Sequence, residues 1–393
     1  MLNSPFSDWP SFTEEEAQAV SRVLLSNKVN YWTGQQGREF EKEFAKFTDC
    51  QYAIAVANGT LALDLALNAL DIGKGDEVIV TSRTFIASIS SIINAGATPV
   101  FADVELDCQN ISAETIKAQL SSKTRAIMCV HLAGWPCDMD SIISLAKANN
   151  LYIIEDCAQA HGAKYKGRSV GSFGDVAAWS FCQDKIMTTG GEGGMLTTNN
   201  ESLWRKAWAF KDHGKSYKAV YETEHPPGYR WLHESFGTNW RLTEMQSAIG
   251  RIQLTRMPQW QKARADNAEK IFSVCRPYAF LHVPNIPSDI LHAHYKCYVQ
   301  VKTQALPKRW SRELIIQAIN NAGVPCFSGS CSEVYKEKAF DNTAYRPSKP
   351  LPNAVTLGET SLMFLVHPTL TTAEINKTCQ VLNDLFDKIS QET

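Results

Sequence analysis

No long run of lysine or arginine occurs anywhere in the 393 residues, and the formal net charge is −2. That balance offers nothing to nucleic acid or to an anionic membrane surface. No apolar stretch reaches the roughly 20 residues that a bilayer-spanning helix needs. The first ten residues carry neither a basic segment nor an apolar core, so they do not read as a secretory signal. Eleven cysteines are present, but there is no CxxC pair and no regular spacing, and the odd count argues against complete disulfide pairing. These features imply reduced thiols in a soluble, cytoplasmic protein. Internal repeats and low-complexity tracts are absent as well. The run Gly190-Gly-Glu-Gly-Gly194 lacks the GK[ST] ending of a phosphate-binding P-loop and does not give GxGxxG, which excludes the two commonest nucleotide fingerprints. It reads as a turn that lets backbone pass close to a neighbouring loop. His292-Ala-His294 has no cysteine or carboxylate at metal-site spacing, so a structural role is the better reading and no metal is expected.

What is present is an alternation of short apolar strands with helices. Residues 1–10 read as an extended arm with two prolines. Thr13, followed by three glutamates, caps a helix, because a hydroxyl and acidic groups suit the positive end of its dipole. Phe40, Phe44 and Phe47 give a second helix over 37–47. Strands are predicted at 51–56, 77–80, 99–103, 126–130, 152–155, 176–181 and 195–198. Helices are predicted at 61–70, 86–94 and 140–148. In 61–70 the only polar side chains, Asp64 and Asn68, share one stripe, so the helix should be largely buried. The pattern predicts an α/β fold with a mostly parallel sheet covered on both faces. After Leu242 the character changes: helices at 243–254 and 262–271, a strand at 295–301, a helix at 310–321, a loop region over 326–350 and a helix over 373–389. This divides the chain into a large domain, 1–255, and a smaller C-terminal α/β domain, 256–393.

Ligands of parallel sheets collect beyond the carboxyl ends of the strands. Three segments fall there: Asn58-Gly59-Thr60, Glu155-Asp156 with Gln159, and Ser180 to Lys185. A lone lysine is most often a solvated surface residue, a strand-end aspartate a cap, and an Asn-Gly-Thr triplet a plain turn. Together they offer what pyridoxal 5'-phosphate (PLP) requires. Lys185 supplies an amine for the aldehyde, as a Schiff base, and a general base and acid thereafter. Asp156 supplies a carboxylate to keep the ring nitrogen charged. Gly59 and Thr60 at a helix start, with the Ser180 hydroxyl, supply a phosphate cradle. Gln159 can reach the 3′ oxygen, and Phe85 can stack on the ring.

The same segments resemble the DegT/DnrJ/EryC1/StrS family, sugar-nucleotide aminotransferases of the aspartate aminotransferase (type I) PLP fold. The resemblance lies in Asn58-Gly-Thr60, Thr84-Phe85, Glu155-Asp-Cys-Ala-Gln-Ala-His-Gly162, Ser180-Phe181 with Lys185 and Gly191-Glu-Gly-Gly194, and Gly237-Thr-Asn239-Trp-Arg241 through Gln246 and Gly250. Cys157 stands where alanine is more usual, and Cys182-Gln-Asp184 departs from the common filling before the lysine.

The resemblance implies a homodimer with two shared active sites, in which Asn239 reaches the phosphate of the other subunit's cofactor. It implies L-glutamate as amino donor and a nucleotide-linked keto-sugar as acceptor, with a 4-keto-6-deoxyhexose on dTDP favoured over a 3-keto isomer or a UDP or GDP carrier. The family includes dehydratases with histidine in place of the lysine; Lys185 places this chain with the transaminases. A regulatory or binding protein that keeps the fold is the rival from another class. Tyr31, Trp32 and the 213–235 loop, with His213, Tyr229, Arg230 and His233, are candidate sugar contacts.

Overall fold

The computed structural model describes residues 5–392; residues 1–4 of the expected N-terminal arm lie outside them. In chain order the first strands are β1 (Tyr52–Val56), β2 (Glu77–Thr81), β3 (Thr98–Ala102), β4 (Thr124–Val130) and β5 (Tyr152–Asp156). A short hairpin, β6 (Lys164–Tyr165) and β7 (Arg168–Ser169), precedes β8 (Val176–Ser180) and β9 (Gly194–Thr198). The later strands are β10 (Leu281–His282), β11 (Ile290–Leu291), β12 (Cys297–Val301), β13 (Cys326–Phe327) and β14 (Ser361–Phe364).

Seven of them form one sheet in the order β1-β9-β8-β5-β4-β2-β3. The pairs β8–β5, β5–β4, β4–β2 and β2–β3 are parallel, and β9 runs antiparallel to both its neighbours. Near-continuous apolar strands such as Tyr-Ala-Ile-Ala-Val and Val-Ala-Ala-Trp-Ser are buried on both faces, as a helix-covered sheet requires. The helix Gly59–Ala69 lies against β8 and β9, with Leu61, Asp64 and Asn68 on its less buried stripe. The mostly parallel α/β architecture is the one the alternation predicted.

A second, antiparallel sheet follows the order β10-β12-β14-β13. Its core is built with Ile315 and Ile319 of the helix Arg312–Asn321 and with Leu382 and Phe386 of the helix Thr372–Gln391. Three expectations need correction. The two helices over 243–254 and 262–271 are one, Glu244–Cys275, which passes through Pro258 and through the 255/256 boundary. Proline removes one helix hydrogen bond and costs about 3 kcal/mol in a free helix. Packing overrides that here, since Gln253, Met257, Trp260 and Arg264 are buried on both sides of it. The 326–350 region is not all loop: it opens with β13 and contains 3-10 turns at Val334–Lys336 and Lys338–Phe340. The helices Glu201–Lys211 and Pro352–Thr360 and strand β14 were not foreseen.

The arm is seated on both halves of the chain. Phe6 packs against the core of the second sheet, and the Ser7 N–H donates to Glu374. The Trp9 ring stands edge-on to Trp260 with the Arg264 guanidinium over it at 5.1 Å. Thr13 stands at the expected cap position and forms a capping box with Glu16. Among the described residues no helix is long and apolar enough to cross a membrane.

Candidate active site

The carboxyl ends of β2, β5 and β8 and the turn after β1 open into one cavity of about 860 Å³, closed on its far side by Tyr295, Lys296, Tyr298 and Ser330. Gly59, Thr60, Phe85, Asp156, Gln159, Ser180 and Lys185 all line it.

Asn58 caps the helix Gly59–Ala69, its side-chain oxygen accepting from the Leu61 N–H at 2.9 Å. The first N–H groups of that helix have no partner within it, and Gly59 and Thr60 line the cavity, the arrangement that suits an anion. Glycine is required at 59 because a Cβ there would lie 2.5 Å from that of Ser180. Gly194 presses equally close, 2.3 Å from its ideal Cβ to the Asn58 carbonyl oxygen. The Ser180 hydroxyl oxygen accepts from the Cys182 N–H at 3.3 Å, which leaves its proton free to donate.

Asp156 ends β5 with its carboxylate almost fully buried. Oδ2 accepts from Ser88 Oγ at 2.7 Å and Oδ1 from the Ala158 N–H at 3.1 Å. Burial pushes its pKa up, against the pull of Ser88, Ala158 and the Lys185 charge. A positive group brought against it would stabilise the ionised form. Gln159 spends its carbonyl oxygen on the Ala133 N–H at 2.8 Å, so its NH₂ is the group left to donate. Phe85 shows an exposed ring, 70% accessible, on the cavity wall.

Lys185 follows β8 on a loop held from three sides. Its N–H donates to the Cys182 carbonyl at 3.1 Å, its carbonyl accepts from Trp9 Nε1 at 2.8 Å, and Thr188 Oγ1 donates to the Phe181 carbonyl at 2.9 Å. The glycine run passes alongside, with the Gly193 carbonyl accepting from the Phe181 N–H at 2.7 Å and Cys182 bridged to Gly191. Gly190 and Gly191 have φ of 88° and 122°, which only glycine adopts without strain. The Lys185 Nζ lies 3.6 Å from Asp184 Oδ1 and 5.2 Å from the Tyr295 ring centre. Asp184 in turn accepts from the Tyr295 hydroxyl.

Beneath β5, Glu155 is fully buried and accepts from the N–H groups of Gly171, Phe173 and Gly174 at 2.7–2.8 Å. His131 Nδ1 accepts from the Cys137 N–H at 3.0 Å, so Nε2 carries the proton that it donates to Glu155 at 2.9 Å. His131, Glu155 and Cys157 could meet a metal by distance alone, with ligating atoms within 4.8 Å of one another. The polar atoms of His131 and Glu155 are already committed to hydrogen bonds that fix the strand end.

Asn239 is not part of this cavity. It is exposed on the segment bridged to Asp212, its Oδ1 accepting from the Arg241 N–H at 3.4 Å. Tyr31 and Trp32 also lie elsewhere, Tyr31 donating to Glu41 and Trp32 to Asp212. Ser88, Trp9, Tyr295 and Lys296 were missed as site residues. For Ser88 a signal existed: it stands four residues after Thr84 and meets it at 2.9 Å. Tyr295 and Lys296 come from the segment leading into β12 of the second sheet, more than a hundred residues from Lys185, and no local pattern announces them.

The family model for DegT/DnrJ/EryC1/StrS aminotransferases matches residues 10–383. The chain belongs to that family. GDP-perosamine synthase of Escherichia coli O157:H7 is 35% identical over 390 residues, 96% of this chain and 97% of that protein. The dTDP-3-amino-3,6-dideoxy-alpha-D-galactopyranose transaminase of Aneurinibacillus thermoaerophilus is 35% identical over 374 residues, 95% of each. The crystal structure of an aminotransferase from Psychrobacter cryohalolentis superposes with a TM-score of 0.97 at 66% identity, over 98% of this chain and all of that one. The protein is thus a PLP-dependent aminotransferase with the fold expected of one. When bound, PLP supplies an aldehyde for an amine and a ring that takes up the negative charge developing on the neighbouring carbon. The residues present fit that group: a close-packed glycine cradle at a helix start, an orientable hydroxyl, a buried carboxylate and a lysine amine converge on one cavity.

Proposed function

We propose that this enzyme moves an amino group from L-glutamate to C4 of a nucleotide-linked 4-keto-6-deoxyhexose, a step in making the deoxyamino sugars of lipopolysaccharide O-antigens or related glycans. The observation that carries the reading is the convergence of Lys185, Asp156 and the Gly59–Thr60 turn on one cavity, in a chain whose relatives are named for amino sugars on GDP and dTDP. Those names give a dTDP carrier no advantage over GDP, and UDP stands beside them.

In this reading Lys185 Nζ would hold the cofactor's aldehyde carbon until the donor's amine displaces it, and the freed amine would then take the proton from the donor's α-carbon and later give one to the sugar's C4. Asp156 keeps the ring nitrogen charged, and Ser88 fixes the carboxylate that does so. Gly59 and Thr60 N–H groups and Ser180 hold the phosphate, Gln159 donates to the 3′ oxygen, and Phe85 covers a ring face. We assign residues 1–255 to the cofactor-binding domain and 256–393 to the smaller domain, with the helix Glu244–Cys275 as their common strut.

The site is completed by a second copy of the chain. Asn239 is exposed and does not line its own cavity, and the same loop exposes Tyr229, Trp231 and Phe236, the last at 99%. Such a group of bare aromatics marks a surface made to be covered. Mixed dimers of Lys185→Ala and Asn239→Ala subunits should recover activity that neither variant has alone. No recovery in proven mixed dimers would refute the shared site.

The substrate test uses PLP-loaded protein, L-glutamate and 4-keto-6-deoxyhexoses on dTDP, UDP and GDP, with the new amine located by NMR. Amination at C4 is expected. An amine at C3 would support instead the reading favoured by the dTDP-3-amino relative.

A further inference from the structure

The described residues lining the cavity include two cations, Lys185 and Lys296. Lys296 immediately precedes β12, on the wall that faces the strand ends. Its ammonium forms neither a hydrogen bond nor an ion pair among the described residues; the Tyr295 ring, 4.8 Å away, is its recorded neighbour. The same ring lies 5.2 Å from Lys185 Nζ, so the two amines flank one aromatic group. Asp184, the nearby acid, is already engaged by Lys185 and by the Tyr295 hydroxyl. Burial pushes the Lys296 pKa down, with Asp184 opposing and Arg264 and Lys185 adding to the fall.

A half-buried ammonium without an acceptor is costly unless an anion arrives to meet it. The reaction proposed above brings two anionic reactants into this cavity. In an amino acid the carboxylate sits on the carbon that bears the amine. In the sugar nucleotide the diphosphate hangs from the anomeric carbon, three carbons from C4. Only the first lies close to the reacting amine when an ammonium beside Lys185 holds it. We propose that Lys296 binds the α-carboxylate of the amino donor, L-glutamate. The inference rests on the transaminase reading and adds the residue that selects the donor.

The test compares wild-type holoenzyme with Lys296→Met and Lys296→Arg. The donor half-reaction is followed by the cofactor's absorbance after mixing with L-glutamate, and binding of 2-oxoglutarate is measured by calorimetry. Lys296→Met should raise the half-saturating glutamate concentration and the 2-oxoglutarate dissociation constant together, about ten- to a hundred-fold, as expected for one lost charge-assisted hydrogen bond. Lys296→Arg should recover most of that loss. The half-reaction of the aminated enzyme with the keto-sugar should be unchanged. Lys296→Met that reacts with glutamate as well as wild type does, or that weakens the keto-sugar instead, overturns the assignment. Wild-type enzyme that is itself silent towards glutamate overturns the donor reading on which the assignment rests, and the two failures are told apart by that control.

Discussion

Lys185 and Lys211 are withdrawn from solvent in similar ways. Lys185 Nζ is 3.6 Å from Asp184 and lies over Tyr295; Lys211 Nζ is 3.8 Å from Glu41 and 3.9 Å from the Tyr31 ring centre. What differs is what each amine faces. Lys185 opens on the cavity with its loop fixed by Trp9, Thr188 and the glycine run. Lys211 is fully enclosed among Tyr31 and Trp208, and its nitrogen has no hydrogen-bond acceptor among the described residues. Burial pushes Lys211 down and Glu41 up, each towards its neutral form. A buried lysine beside an acid is therefore no sign of chemistry. Space for a reactant and a second group aimed into that space are what make one.

The sharpest way to break this comparison is to remove each amine. Lys185→Ala should lower kcat about 10⁴-fold, the upper range for a residue acting as both base and acid, with the melting temperature unchanged. Lys211→Ala should do the reverse: kcat unchanged and stability lower by about 3 kcal/mol, because it empties the enclosed space that the side chain fills against Tyr31 and Trp208. Comparable losses of activity in both would show that enclosure does not separate the two roles. Next in size, Asp156→Asn should keep the cavity's shape but remove the charge, lowering kcat about 10²- to 10³-fold. Full activity in that variant would remove Asp156 from the chemistry.

Glu155 tests whether the wall behind the site is structural. Burial alone would raise its pKa, but His131 and the N–H groups of Gly174 and Gly171 hold it below its ordinary value of 4.5. A carboxylate depressed in the folded state stabilises fully above its unfolded value and loses that contribution as pH falls through the folded one. The melting temperature should therefore fall as pH drops below 4.5. Glu155→Gln should be less stable at neutral pH, by about 3 kcal/mol, and should show a flatter acid limb. An unchanged limb would place the acid sensitivity elsewhere.

Much of the seven-stranded sheet and its helices was legible because strand, turn and helix carry their own signals. Apolar runs of five residues, Asn58 as a cap and Thr13 with Glu16 are local patterns, and the cavity residues from Gly59 to Lys185 sit directly after such strands. Pro258 misled because its local cost is outweighed by burial of Met257, Trp260 and Arg264, a tertiary effect. Lys296 and Tyr295 were illegible for the same reason: only the packing of the second sheet against the strand ends carries them to Lys185. Asn239 was named through resemblance alone, and it lies outside the cavity of its own chain.

The smallest effect concerns the arm. Trp9 was read only as part of an extended segment, yet its Nε1 donates to the Lys185 carbonyl at 2.8 Å while its ring contacts Trp260 and Arg264. Trp9→Phe keeps an aromatic ring in place and deletes the hydrogen bond, worth about 1 kcal/mol. If the arm positions Lys185, the loss appears as a several-fold fall in kcat with KM for glutamate unchanged, because the bond acts on the loop and not on the substrate. If the arm only packs, the loss appears in the melting temperature and kcat stays at its wild-type value. The Lys211 carbonyl is held instead by the backbone N–H of Trp240 at 3.1 Å, not by a side chain of the arm, so the two lysine sites are tethered in different ways.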